Sequence, residues 1–252
     1  MHPLCLLRSI KNLIYFTVVL RTDGEIMTSK KQIKEKLHVI YDRMLQHFGP
    51  RGWWPGDSDF EICVGAILTQ SVSWKNVAKA IDNLKNAGLL DLNKMYCAPP
   101  EAIENCIIPT LYYRQKAKKL KSFVNHVTEN YAGNLSAFLG KNQGELREEL
   151  LSLYGIGPET ADSIILYAAD KPVFVVDAYT RRIFARLGLF EDDISYSEMQ
   201  KFFMRHLTPD VGFYNEYHAL IVGVGNRFCS NKKPKCAECP LTGLCKQRNL
   251  KK

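Results

Sequence analysis

A chain of 252 residues, 46% apolar and 24% charged, can bury a sizeable core, which excludes a disordered chain and leaves room for one domain or two small interleaved ones. A formal net charge of +8 points to an acidic partner such as nucleic acid, although charge alone does not single one out. Cys5, Cys63, Cys97 and Cys106 are scattered and read as ordinary buried thiols, whereas Cys229, Cys236, Cys239 and Cys245 crowd the tail as a ligand set would, so a secreted disulfide scaffold is not expected.

The chain opens with Arg8 and Lys11 ahead of an apolar run, Leu13 to Leu20, that is similar to the hydrophobic part of a signal peptide. No small-residue cleavage site follows, and the run is too short to span a bilayer as a helix. Met27 offers an alternative start, so residues 1–27 are expected to be disordered or an overextended beginning. No other stretch is long and apolar enough for a membrane span.

From Lys31 to Phe48 apolar residues recur at helical spacing, and Gly49-Pro50 ends the pattern. A loop with Trp53-Trp54-Pro55-Gly56 follows, then helices over Phe60 to Leu68 and Trp74 to Ala87. Further helices are predicted over Pro100 to Ile107, Arg114 to Tyr131, Gln143 to Leu153, Pro158 to Ala169, Ala178 to Arg186, Tyr196 to His206 and Tyr214 to Arg227. No segment alternates as a strand would, so the fold class is all-α.

Leu150 to Leu166 reads as helix, tight turn, helix, with Gly155-Ile156-Gly157-Pro158 at the turn. Gly155 and Gly157 can adopt angles closed to other residues and let a phosphate approach the main chain, while Pro158 suits the first helical position. The amides there form an anion site, although any helical hairpin can use glycines. Downstream, an apolar run from Pro172 to Val176 delivers Asp177 to a helix start. Asp177 can be simply an N-cap, or it can stabilise a sugar cation and activate water, the chemistry of breaking a glycosidic bond. The tail spacing, Cys229-x6-Cys236-x2-Cys239-x5-Cys245, suits a [4Fe–4S] cluster or a tetrahedral zinc. Around it stand Arg227, Lys232, Lys233, Lys235, Lys246, Arg248, Lys251 and Lys252, either a solvated cluster or a grip on a phosphate backbone.

Gly155-Ile156-Gly157, followed by Val176-Asp177-Ala178-Tyr179 and Arg182 and closed by these cysteines, resembles the helix-hairpin-helix DNA glycosylases typified by endonuclease III. The likeness runs from about Phe60 to the C-terminus. It implies that Asp177 is catalytic, that the hairpin holds DNA, and that the four cysteines hold a [4Fe–4S] cluster rather than zinc. Bifunctional members carry a lysine in the second hairpin helix, whose amine attacks the sugar; here Glu159 stands at that position and cannot form an imine. Glu159 also suits a helix first turn. Water assisted by Asp177 is therefore the expected nucleophile.

Trp53-Trp54-Pro55, Gly65 to Gln70 and Trp74 resemble the 3-methyladenine glycosylase branch, which implies a base pocket of Trp53, Trp54 and Trp74, although tryptophans also anchor cores. Gln70 matches a glutamine that enters the base stack when the target nucleotide is flipped out, or it caps a helix. Lys116, within Tyr112 to Lys118, lies in a segment similar to one near DNA, or on a solvated face. The cysteine tail departs from that branch, some of whose members lack the cluster.

Two helical domains are expected: a six-helix barrel with the hairpin over residues 60–170, and a cluster domain from residues 28–59 and 171–252, with DNA in the cleft between them. The expected function is monofunctional hydrolysis of the N-glycosidic bond of an alkylated purine in double-stranded DNA. A monomer is expected, away from membranes and, in a prokaryote, cytoplasmic at the nucleoid. The rivals are a glycosylase and lyase for oxidised pyrimidines, and a non-catalytic DNA-damage-binding protein.

Overall fold

A computed structural model describes residues 23–246, so the expectation for the first residues lies outside it up to residue 22, as do Arg248, Lys251 and Lys252 in the tail. Among the described residues there are twelve α-helices and two 3-10 turns and no strand, as the periodicity predicts. None of these helices is long and apolar enough to cross a membrane.

The first helix, α1 (Asp23–Phe48), starts eight residues before the predicted Lys31 and buries Leu37, Ile40 and Met44. It lies against α11 (Tyr196–His206) and α12 (Val211–Arg227), and the Tyr217 hydroxyl donates to the Leu37 carbonyl at 2.7 Å. The core of the remaining helices is α2 (Asp59–Leu68), capped by Ser58 and buried along nearly its whole length. Burying both faces of a ten-residue helix requires neighbours on every side. They are α3 (Trp74–Asn86), α6 (Tyr113–Tyr131) and α9 (Pro158–Tyr167).

Two short helices escape the sequence reading, α4 (Leu92–Cys97) and α7 (Leu135–Leu139). At six and five residues they are too short to show a period, but the side chains of Asp91 and Asn134 cap their first turns. Lys121 closes the end of α4 by donating to the Met95, Tyr96 and Ala98 carbonyls. Between them, α5 (Pro100–Ile107) packs on α3 and α6.

The hairpin itself is α8 (Gln143–Ser152) and α9. Fully buried Asp162 fixes it, accepting from Arg147 Nε at 2.7 Å and Nη2 at 3.2 Å, and from Tyr196 Oη and Gln200 Nε2 at 2.7 Å each. Gln200 also donates to the Phe174 carbonyl at 2.9 Å, three residues before Asp177. One carboxylate thus ties α8, α9, α11 and the segment that delivers Asp177. That segment enters α10 (Ala178–Arg186), which crosses α12 so closely that a Cβ on Gly225 would overlap the Tyr179 ring.

Candidate active site

The two hairpin glycines do different work. Gly155 sits at φ +75°, and a Cβ there would come within 2.5 Å of the Lys119 side chain, which lies across the turn. Gly157 is extended at φ −93°, open to any residue, with nothing within 4 Å of where its Cβ would stand. This corrects the expectation that both glycines supply unusual angles: Gly157 supplies open approach to the amides at the start of α9.

Gln70, just beyond α2, braces this turn. Its Nε2 donates to the Gly155 carbonyl at 3.0 Å and to Thr160 Oγ1 at 2.9 Å, while Oε1 accepts from Lys119. Entry of Gln70 into a base stack therefore requires the release of these three bonds.

Lys116 is turned inward, where the expectation placed it near DNA or on a solvated face. It is 2% exposed and donates to the Leu68 carbonyl at 2.9 Å and the Thr110 carbonyl at 2.6 Å, and burial together with nearby Lys119 pulls its ammonium down to about 8. The apolar packing of α6 against α2 turns it inward, where it pins the end of α2 to the loop after α5. That loop presents a residue the sequence reading missed. Leu111 and Tyr112, at φ 57° and 45°, stand 56% and 74% exposed beside the end of α2. The available signal was an apolar pair next to a Pro-Thr turn with no helical partner.

Asp177 is the N-cap of α10, and it is more than a cap. Its Oδ1 accepts from Thr180 N at 2.7 Å and Thr180 Oγ1 at 2.8 Å. Its Oδ2 stands 3.6 Å from Nε2 of His218, on α12. Burial opposes the carboxylate's charge, but His218 and the Thr180 hydrogen bonds outweigh it and hold Asp177 below the usual carboxylate range. His218 Nδ1 in turn meets the buried Tyr167 hydroxyl at 2.5 Å. Neither Tyr167, Thr180 nor His218 was expected from the sequence. The only signal was one histidine within the apolar run of α12.

Glu159, in the first turn of α9, is felt by the same carboxylate. Its side chain reaches solvent, yet the protein around it penalises charge, and Asp177 adds repulsion that nearby His218 only partly offsets. Together they push Glu159 up to about 7.

The three tryptophans meet edge to face, their ring centroids 5.1 to 5.2 Å apart, and Trp54 packs against Tyr167 at 5.1 Å. Gly65 makes room for this, since a Cβ there would come within 3.2 Å of the Trp54 ring. The Trp53 and Trp54 indole nitrogens are buried without a hydrogen-bond partner. The aromatic wall is therefore joined to Asp177 through Tyr167 and His218.

Cys229, Cys236, Cys239 and Cys245 line one cavity of about 470 Å³, part of it open to solvent, roofed by Ile183, Leu187 and Val224. Burial, joined by the neighbouring cysteines, pushes the Cys239 thiol up to about 11. Arg186 donates to Cys229 Sγ at 3.2 Å and Arg182 to the Cys229 carbonyl at 2.6 Å. Asp177 caps the helix that carries these arginines, so Arg186, at its far end on Cys229, stands roughly 13 Å along the helix from the carboxylate. Of the scattered cysteines only Cys63 is fully buried against the core; Cys97, at the end of α4, is exposed and Cys106 half-buried, against the expectation of buried thiols, and Cys5 lies outside the described residues.

Residues 64–209 match the HhH-GPD superfamily base excision DNA repair protein model, and residues 232–245 match the iron–sulfur binding domain of endonuclease III. A Methanocaldococcus jannaschii protein assigned as a DNA repair glycosylase is 45% identical over 213 residues, covering 84% of this chain and 96% of that protein. Endonuclease III of Bacillus subtilis is 32% identical over 75% of this chain and 81% of its own length. Among solved structures, Helicobacter pylori 3-methyladenine DNA glycosylase (MagIII) bound to 1,N6-ethenoadenine superposes with a TM-score of 0.64 at 29% identity, over 77% of this chain and 95% of that one. An endonuclease III–DNA complex superposes with a TM-score of 0.72 at 24% identity, over 84% and 95%, which shows the shared fold.

Proposed function

The chain belongs to the HhH-GPD superfamily of base excision DNA repair proteins and is an endonuclease III-like DNA glycosylase, and on that premise we propose that it is monofunctional, removing alkylated purines by hydrolysis. The observation that carries this reading is the pairing of an ionised, mostly buried Asp177 with a carboxyl, Glu159, where an attacking amine would have to stand. A carboxylate held ionised beside the sugar stabilises the oxocarbenium-like charge that develops as the base departs, and it orients the water that replaces the base. Glu159 has no amine with which to form an imine, so the reaction ends at an abasic site.

The aromatic wall supports a cationic, electron-poor purine, which stacks more strongly on indole than a neutral base does. Because the tryptophans pack edge to face with one another, the base lies against the outer face of the group. Gly157 and the start of α9 take the phosphate, and Leu111 fills the space a flipped nucleotide leaves. The damaged duplex lies between a helical barrel, residues 60–170, and a domain built from residues 28–59 and 171–252, and the enzyme acts as a monomer.

The residues present fit a [4Fe–4S] cluster. Four thiols crowd one cavity, where burial and their mutual proximity disfavour ionisation; a cationic centre would favour the thiolates, and Arg186 supplies a charge-assisted donor to the Cys229 sulfur. Cys229, Cys236, Cys239 and Cys245 would hold the cluster, and its part would be structural, ordering the loop that carries Lys232, Lys233 and Lys235.

The test is a panel of duplexes, each with one defined lesion: 7-methylguanine, 3-methyladenine, 1,N6-ethenoadenine, hypoxanthine, uracil and thymine glycol. Release of the methylated purines, with strand breaks only after alkali and no borohydride-trapped product, is the expected result. Preference for uracil or thymine glycol would overturn the alkylated-purine reading, and a trapped imine would overturn monofunctionality.

A further inference from the structure

Behind the Asp177 carboxylate stands a buried chain of groups drawn from three helices. His218 of α12 is 7% exposed, with Nε2 at 3.6 Å from Asp177 Oδ2 and Nδ1 at 2.5 Å from the hydroxyl of Tyr167 on α9. Its neighbours Tyr217, Ala219, Leu220 and Ile221 are all buried, so an imidazole there carries two polar nitrogens into an apolar setting, a cost that packing does not offset.

The geometry fixes which nitrogen carries the proton. Buried Tyr167 keeps its phenolic proton, because burial and the Asp177 charge hold its pKa well above the ordinary value. The phenol can therefore donate to Nδ1, and because an ionised carboxylate only accepts, the nitrogen facing Asp177, Nε2, is the one that carries a ring hydrogen. That nitrogen makes no hydrogen bond in the structure, and a small movement of the carboxylate toward it would close one.

We propose that His218 is a positioning residue for base excision: fixed in one tautomer by Tyr167, it holds Oδ2 of Asp177 in place and keeps that carboxylate ionised while positive charge develops on the sugar. The proposal rests on Asp177 as the catalytic group. Trp54, packed on Tyr167 at 5.1 Å, extends the same support to the aromatic wall, so base stacking and carboxylate orientation share one brace. The titratable groups that face this pair are Glu159 and Tyr167 from α9 and Tyr179 from α10, and the Asp177 charge raises all three.

The experiment follows the Asp177 carboxyl by carbon-13 NMR and the His218 ring by nitrogen-15 NMR in the full-length, iron-loaded protein without DNA. In His218→Gln and Tyr167→Phe the carboxyl should titrate at higher pH than in the wild type. In Tyr167→Phe the ring proton should no longer be confined to Nε2. Tyr167→Phe removes one oxygen and keeps the ring against Trp54, so it decides the matter if His218→Gln does not fold.

Single-turnover release of 7-methylguanine should then fall about tenfold further at mildly acid pH than on the alkaline plateau. The sign follows from Asp177, which is active when ionised: raising its pKa moves the loss of activity to higher pH. An unchanged carboxyl titration in both variants, with release reduced equally at every pH, would show His218 to be packing alone and overturn the proposal. If the wild type releases no methylated purine, the lesion reading fails while the carboxyl titration still decides the role of His218.

Discussion

At the scale of single residues, the cap that Asp177 provides and the catalytic duty proposed for it can be separated by substitution. Asparagine caps helices as well as aspartate does, so Asp177→Asn should leave stability within ~0.5 kcal/mol while base release drops at least about a hundredfold. Asp177→Ala should lose the cap as well, about 1 kcal/mol in a denaturant melt. The glycines divide in the same way. Gly155→Ala places a side chain at φ +75° and against Lys119, at a cost of about 1–3 kcal/mol. Gly157→Ala should melt like the wild type yet bind duplex DNA more weakly, because only the phosphate approach is obstructed. Equal destabilisation by the two would contradict this division. Glu159 yields a prediction in pH. Its folded pKa of about 7 lies above its ordinary value of 4.5, so it favours folding at acid pH and loses that contribution as pH rises through 7. The melting temperature of Glu159→Gln relative to wild type should accordingly climb between these values, and a flat difference would mean that Glu159 is unperturbed.

At the scale of elements, the hairpin is a supported structure rather than a free turn. Buried Asp162 receives donors from Arg147, Tyr196 and Gln200, so Asp162→Ala leaves two partly buried donors, Arg147 and Tyr196, and buried Gln200 without their acceptor. Breaking one side of a buried pair costs about 3–5 kcal/mol, which urea melts should show. Ten helices were legible from apolar period and from Gly and Pro punctuation, with bounds near those observed except at the start of α1. The two that were not, α4 and α7, are shorter than two turns, and only their capping side chains mark them. Lys116 shows the opposite limit. In sequence it belongs to a run of lysines on an amphipathic helix, and no local rule says which of them turns inward to meet the carbonyls at the end of α2.

At the scale of the whole molecule, α10 joins the candidate carboxylate to the cysteine loop. It starts at Asp177 and ends with Arg182 and Arg186 on Cys229. Removal of iron by chelation after oxidation should therefore melt the tail at lower temperature and weaken duplex binding. It should also flatten the dependence of binding on salt, because the ordered loop bases Lys232, Lys233 and Lys235 no longer displace counterions. An iron-free protein with unchanged salt dependence would remove that loop from the DNA interface.

The sequence by itself determined the fold class, the family, the hairpin, the candidate carboxylate and the cysteine set, because each is written in local spacing: helical period, Gly-x-Gly-Pro, an acid at a helix start, four thiols within seventeen residues. What stands behind Asp177 was decided only by tertiary structure. His218 lies 41 positions along the chain from Asp177 and Tyr167 lies ten before it, and it is the packing of α9 and α12 around the start of α10 that brings them into contact. The same packing tied Gln70 to the hairpin, turned Lys116 inward and pushed Glu159 up to about 7. Hydrogen bonds and charge act over a few ångströms of space and are indifferent to separation along the chain.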